Sequence, residues 1–344
     1  MAMPPPPAHL GPRWFEACSS FPGRSFRRLP SSRWPTPSRR RASTSFGRRQ
    51  QEYPVANATD GRNTLYPVEL ASVVGSCAAD RLLRSLPAGA AGVAGFSRCP
   101  LSLPSQLSSQ RAFGNKFALC LPDFALFAMC LPAFAAFGDT PVYLGTESRG
   151  LVEYTGSIPG HYIPVKGISV NWHGVDVAAS LPNGALDLDG RTGRGGVVLS
   201  TVTPYTIMRA EVFRPLIQAG KMKDVKRVPA VKPFQLCYNG AFPLLKRPIS
   251  YDVPRIDLEL AGARSNWTVF NNNDLVQVDG AMCVGILEMG PGAMPVDGEL
   301  AMVIGGKTME NNLLVFDLEK GVLGFSMLLD FQLTSCYSSN LSRL

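Results

Sequence analysis

The sequence predicts an all-β protein with a few short helices. Past about residue 52, short runs rich in Val, Ile, Leu, Phe and Thr recur between Gly, Pro and Asn punctuation, the pattern of many strands joined by turns. Clear helical periodicity shows only around Ile207, Val212, Leu216 and Ile217, which predicts a short amphipathic helix beginning near Pro204. The 344 residues are 45% apolar and 17% charged, enough to bury cores in about two domains and to exclude disorder throughout.

The elements follow in chain order. Residues 1–51 are rich in Pro, Ser and Arg and lack periodicity, so they cannot bury enough apolar surface to offset the entropy of ordering and are expected to form a disordered extension. The net charge of +8 belongs to this end: residues 1–50 hold ten Arg, no Lys and one acid, Glu16, whereas the remainder sums to −1. Trp14, Phe15 and Trp34 are too scattered for a base-stacking platform, so no nucleic-acid partner is expected. No apolar stretch of secretory type follows the start, although the Arg- and Ser-rich, acid-poor composition resembles an organelle transit peptide.

Residues 117–137 are apolar enough to suggest a membrane span. Asp123, Pro122 and Pro132 argue against one, and the run repeats: Phe117-Ala118-Leu119-Cys120-Leu121-Pro122 returns as Phe127-Ala128-Met129-Cys130-Leu131-Pro132. A tandem copy of one buried strand is expected, with no membrane partner. Val165 to Val170 and Val175 to Val177 flank Asn171-Trp172-His173-Gly174 and predict a hairpin.

Chemical motifs are sparse. Eight cysteines without C-x-x-C or a nearby His at ligand spacing predict no metal site and no cofactor. Gly305-Gly306-Lys307-Thr308 ends like a phosphate loop, but Ala301 stands where its first glycine belongs. Glycines 190, 193, 195 and 196 predict a flexible turn, and His161 and His173 are expected to be structural. Sequons at Asn57, Asn266 and Asn340 point to secretory ancestry.

From about residue 52 to its end the chain resembles the plant pepsin-like proteins typified by the TAXI-type xylanase inhibitors and the extracellular dermal glycoproteins. The resemblance rests on ordered stretches: Val55 to Gly61, Gly92-Val93-Ala94-Gly95, Leu103 to Leu107, Lys116 to Pro122, Gly195 to Thr201, Phe234 to Tyr238, Trp267 to Phe270, Val303 to Gly306, Val315-Phe316-Asp317 and Leu323 to Ser326. It implies a bilobal β fold with an incomplete N-terminal lobe over 52–155, a C-terminal lobe over 156–344, and a place outside the cell or in its wall.

In pepsin-like enzymes each lobe supplies one Asp from an Asp-Ser/Thr-Gly turn, and the two carboxyls share a proton so that one polarises the scissile carbonyl while the other activates water. No such motif occurs in this sequence. The resemblance places Ser200 where the second Asp belongs, and the first-lobe motif has no counterpart. A hydroxyl cannot replace that base. Loss of proteolysis is expected, with aspartic endopeptidase activity as the alternative and an unstable, degraded copy as a third reading.

Relatives without activity bind microbial xylanases through a loop carrying a histidine near the chain end. Asp330 and Phe331 occupy the matching place here, and a carboxylate would be repelled by the two acids of a glycosidase. The resemblance also implies a disulfide between Cys237 and Cys283, worth on the order of 4 kcal/mol in the chain-entropy model. Cys77, Cys120 and Cys336 match family positions; Cys18, Cys99 and Cys130 do not and are expected to include unpaired thiols.

Overall fold

The structure is a computed structural model that describes residues 49–52, 55–58, 66–69, 73–76, 93–111, 113–122, 134–137, 150–153, 160–189, 194–222, 225–240, 242–246, 249–262, 266–290 and 300–336. Strands dominate them, joined by short helices such as Leu103–Arg111 and Ala210–Ala219.

One five-stranded antiparallel sheet ties the two halves of the chain together. Its order is Phe134–Phe137, Lys116–Cys120, Leu313–Asp317, Val322–Phe325 and Gly150–Glu153, so two strands from near the chain end lie between strands from its first half. Phe117 and Phe316 face each other in register, and their rings stack with centroids 4.4 Å apart. Cys120 and Cys336 form a disulfide that anchors the following C-terminal segment to the same strand. The first copy of the repeated apolar motif is thus a sheet strand, while the second lies outside the described residues. Among the described residues no helix is long and apolar enough to cross a membrane.

A second five-stranded sheet is interleaved. Ile286–Glu288, Thr206–Met208, Met302–Ile304, Val197–Leu199 and Tyr162–Ile163 lie side by side, with Val197–Leu199 parallel to Met302–Ile304 and Thr206–Met208 parallel to Ile286–Glu288. Thr206 to Met208 bury alternate side chains, and both edges of their strand are paired, so the backbone here is a strand. The helix expected from Pro204 therefore starts at Ala210, and Ile207 belongs to the sheet.

Two four-stranded sheets complete the larger half. Val175–Ala178, Val165–Trp172, Arg255–Leu260 and Trp267–Val269 form one. Its first hairpin closes tighter than the sequence suggested: Trp172 pairs with Val175, leaving His173 and Gly174 as a two-residue turn with φ of 51° and 79°. That is the left-handed geometry a two-residue hairpin requires, and it matches strand twist. The other sheet joins Arg227–Val228, Cys237–Asn239, Ala281–Val284 and Leu275–Val278, with Cys237 bonded to Cys283 across the ladder.

Three other details differ from the sequence reading. Arg49–Glu52 is a strand paired with Val73–Ser76, so a strand reaches into the segment expected to be an extension. Gly195 and Gly196 are held tightly: both have left-handed backbone, the Gly196 amide donates to the Asp187 carbonyl at 2.8 Å, and a side chain on Gly195 would lie 2.0 Å from that oxygen. Cys99 is disulfide-bonded, whereas the resemblance had left it among the cysteines expected to include unpaired thiols.

Trp267 is buried to 1% exposure and stacks on Phe325 at 5.5 Å, joining a four-stranded sheet to the one shared by both halves. The Cys120–Cys336 bond spans 216 residues, and a loop of that length is worth about 5 kcal/mol in the chain-entropy model. Replacing both cysteines by Ser is expected to lower unfolding free energy by several kcal/mol in urea under oxidising conditions; a change under about 1 kcal/mol would show that the strand pairing alone anchors the C-terminal segment.

Candidate functional site

Ser200 sits at the end of strand Val197–Leu199, where its amide donates to the Ile304 carbonyl at 3.0 Å. The chain then turns through Thr201 to Tyr205 and returns as strand Thr206–Met208. Thr201 and Val202 are exposed, Val202 at 50%, and Ser200 is half-buried. The turn therefore presents the hydroxyls of Ser200 and Thr201 beside the apolar, β-branched Val202.

Behind this turn the backbone is packed to contact. A side chain on Gly305 would lie 2.3 Å from the Tyr205 carbonyl carbon, so the strand from 302 to 304 can pass the turn only with glycine at its end. The amide of Gly305 donates to Thr206 Oγ1 at 3.1 Å, and Thr206 Oγ1 shares a 2.6 Å hydrogen bond with Thr308 Oγ1. Asn273 Nδ2 donates to the carbonyls of Thr308 and Glu310 at 3.0 and 2.6 Å. Lys307 and Glu310 form a buried ion pair at 2.5 Å. Lys307 is thereby committed, which removes any resemblance to a phosphate loop.

Asp274 adjoins this cluster and is 5% exposed. Burial pushes its carboxyl up to about 8, with the Lys307 charge opposing. The carboxyls of the cluster are thus both spoken for: Glu310 by Lys307, Asp274 by its own proton at neutral pH. Acid hydrolysis of the pepsin type needs two accessible carboxyls sharing a proton. Among the described residues the turn at Ser200 offers a hydroxyl instead.

The two described histidines have different surroundings. His161 is buried, donates from Nε2 to the Phe96 carbonyl at 2.7 Å, and packs edge-on to Phe316 with centroids 4.7 Å apart. Burial, reinforced by the Arg98 charge, holds its pKa down to about 4, and the hydrogen bond to Phe96 opposes this. His173 is exposed at the hairpin tip and lies 3.0 Å from Asp252, which also accepts from Trp172 Nε1 at 3.2 Å. The hydrogen bond from His173 is the main cause that holds Asp252 below the usual carboxylate range.

Asp330 and Phe331 lie in the short 3-10 helix Leu329–Gln332. Asp330 is half-buried and faces Asn311 Nδ2 at 3.4 Å, while Phe331 is 37% exposed and packs on Phe270 with centroids 4.5 Å apart. Leu333, which ends that helix, is 98% exposed. The segment thus turns its carboxylate toward Asn311 and leaves apolar groups outside. Of the three sequons, Asn266 is exposed just before strand Trp267–Val269, Asn57 lies in strand Val55–Ala58, and Asn340 lies outside the described residues.

The buried cluster was missed by motif reading. Its only sequence signal is the polar run Asn271-Asn272-Asn273-Asp274 wedged between apolar strands.

The chain matches two family models, described as xylanase inhibitor N-terminal over residues 34–131 and xylanase inhibitor C-terminal over residues 160–327. It is 38% identical over 302 residues to the protein named chitinase CLP of Oryza sativa subsp. japonica, covering 83% of this chain and 66% of that protein. It is 30% identical to the probable aspartic proteinase GIP2 of Nicotiana benthamiana, covering 78% and 63%, and 32% identical to gamma conglutin 1 of Prunus dulcis, covering 77% and 59%. The chain thus spans less than two thirds of the length of each of these relatives. Among solved structures it resembles edgp with a TM-score of 0.72 at 26% identity, covering 86% of this chain and 73% of that one. It also resembles conglutin gamma, a basic 7S globulin from lupine seeds, with a TM-score of 0.64 at 27% identity, covering 83% and 70%.

Asp274 and His161 set opposed pH dependences. The folded value of Asp274 lies above its ordinary 3.8, so its stabilising contribution is complete below about 4 and is lost as pH rises through about 8. That of His161 lies below its ordinary 6.5, so its contribution is complete above 6.5 and is lost as pH falls through about 4. Between 4 and 6.5 the two slopes cancel; from 6.5 to 8 only Asp274 acts, at roughly 1.4 kcal/mol per pH unit. Thermal unfolding should show Tm level between pH 4 and 6.5 and falling from 6.5 to 8. Asp274→Asn should abolish the fall and make Tm rise from pH 4 to 6.5; an unchanged profile in that variant would refute the assignment.

Proposed function

The chain belongs to the TAXi-like family of pepsin-like plant proteins, with that family's mostly β fold, and from this premise we propose that it is a catalytically inactive, inhibitor-like binding protein directed at microbial glycoside hydrolases such as xylanases. What supports the reading is Ser200 at the end of its strand, where the resemblance puts the second catalytic Asp, followed by exposed Thr201 and Val202. Its hydroxyl has no means of accepting the proton that pepsin-type hydrolysis removes from water. The carboxyls behind it, Asp274 and Glu310, are buried and do not reach solvent as a pair.

Binding would use apolar surface instead of the charge of a histidine. Asp330 is turned toward Asn311, and Phe331 and Leu333 are the exposed groups of that segment. Aromatic anchors are prominent among the few residues that carry most of the free energy in protein interfaces, and an apolar ring avoids the repulsion a carboxylate would meet at a glycosidase's acids. Action outside the cell or in its wall, with a glycan on exposed Asn266, agrees with the oxidised cysteine pairs Cys120–Cys336 and Cys237–Cys283.

The purified chain is expected to cleave no protein substrate at pH 3 to 5 and to release no sugar from colloidal chitin. It is expected to bind a fungal or bacterial xylanase in calorimetry, with Phe331→Ala weakening that binding about tenfold. Pepstatin-sensitive proteolysis would restore the endopeptidase reading, chitin hydrolysis would replace it with a glycosidase, and binding indifferent to Phe331 would move the contact surface elsewhere.

A further inference from the structure

Positive charge is concentrated in one stretch of an otherwise balanced body. Residues 209–247 hold nine Lys and Arg against two acids, Glu211 and Asp224, while residues 51–344 as a whole sum to −1. Four of these cations, Lys221, Lys226, Arg227 and Lys232, are exposed, and among the described residues none of the four has a carboxylate within ion-pair distance.

The fold gathers the four on one border. Strand Arg227–Val228 is the edge of its four-stranded sheet among the described residues. Arg227 lies opposite Tyr238 in register, with its guanidinium 6.0 Å from the centre of that ring, and the Asn239 amide donates to the Lys226 carbonyl at 2.9 Å. Lys221 precedes Met222, which packs in the same apolar cluster as Tyr238. Lys232 follows Val231, whose amide donates to the Cys237 sulfur at 3.5 Å, and Cys237 is the register partner of Val228. All four cations therefore flank one short edge whose neighbours are Tyr238 and Cys237.

Like charges held along one border repel, and no internal pairing offsets that cost here. A partner of opposite sign does. The surrounding surface selects its class. The four aromatic residues of the stretch, Phe213, Phe234, Tyr238 and Phe242, are all buried, and none of the exposed large apolar side chains among the described residues falls within it. The border thus has no stacking platform for nucleic-acid bases, no aromatic anchor for a protein interface and no apolar group to enter a bilayer. What is left is recognition by charge alone, which suits a hydrated, extended polyanion. The pairs Cys120–Cys336 and Cys237–Cys283 place the chain in an oxidising compartment, and the polyanions of a plant wall are polysaccharides carrying carboxylates.

We propose that the edge at Arg227–Val228 is a docking surface for a carboxylated polysaccharide, a polyuronate chain held by Lys221, Lys226, Arg227 and Lys232. The surface uses neither the turn at Ser200 nor the segment at Phe331, so it shares with the inhibitor reading only the place outside the cell.

The test titrates the full chain, disulfides intact, with polygalacturonate and with its fully methyl-esterified form, which keeps the sugar backbone and removes the charge. Saturable binding to the free acid is expected, at least about tenfold tighter than to the ester and weakening as salt rises. Replacing Lys221, Lys226, Arg227 and Lys232 together by Gln is expected to lower affinity about tenfold and to flatten the salt dependence, with thermal unfolding unchanged. Should that variant fail to fold, Lys226→Gln with Lys232→Gln is expected to lose about threefold. Because residues 1–50 also carry ten Arg, a second variant with Arg27, Arg28, Arg39, Arg40 and Arg41 replaced by Gln is expected to keep most of the affinity. No binding to the free acid, equal binding to the ester, or affinity that survives loss of the border cations would each overturn the proposal. Duplex DNA bound as tightly as the polyuronate, with the same dependence on the four cations, would overturn the assignment to a polysaccharide.

Discussion

The contact between Gly305 and the backbone of Tyr205 and Thr206 is the constraint on which the rest of this structure depends. Strands Val197–Leu199 and Met302–Ile304 run parallel, and Thr206–Met208 lies on the other side of Met302–Ile304. A chain that leaves one flank of a strand and returns on the other must cross its end, and the crossing turn is Thr201 to Tyr205. The end of the crossed strand has no room for a β-carbon. Glycine at 305 is therefore a steric requirement, and its conformation is ordinary, with φ of −83°. Because the crossing is fixed, Ser200 is fixed too, and so is the short helix Gly306–Met309 that follows.

That helix explains the polar groups packed behind the turn. Backbone brought this close leaves donors and acceptors that cannot all pair within a strand ladder, and they must be satisfied by side chains. Thr206, Thr308 and Asn273 do so. The Lys307–Glu310 pair is a different matter. Burying two charges costs several kcal/mol each, and their attraction at best offsets it, so the pair contributes little net stability. Its effect is on specificity: removing either partner strands a charge in the interior, which penalises any packing that separates residues 307 and 310.

What the sequence made legible follows from the range of each interaction. The hairpin at Trp172 to Val175 was readable because a two-residue turn is a local device, and only its tightness escaped, since His173 in a left-handed conformation is not announced by residue type. The helix start was misread for the opposite reason. Ile207 falls at helical spacing from later apolar residues, but long-range pairing with Ile286–Glu288 and Met302–Ile304 outweighs a local pattern. Gly195 looked like part of a flexible turn because the Asp187 carbonyl, which leaves no room for a β-carbon at 195 and accepts from the Gly196 amide, is met only in the folded chain. Asp274 was invisible as a buried acid: an aspartate in a run of asparagines reads as a loop, and nothing local indicates two apolar clusters closing over it.

The described strands from the first half of the sequence raise the question of what holds them in place. Strand Lys116–Cys120 is flanked on one side by Phe134–Phe137 and on the other by Leu313–Asp317, so neither edge is open to solvent or to another chain. Its Phe117 lies in the same apolar cluster as Trp267 and Phe325. Strand Gly150–Glu153 likewise hangs on Val322–Phe325. These strands draw their pairing from the second half of the sequence and extend its sheet. Their place therefore rests on strands from the second half of the sequence, and the Cys120–Cys336 bond reinforces that dependence by fastening the C-terminal segment to Lys116–Cys120.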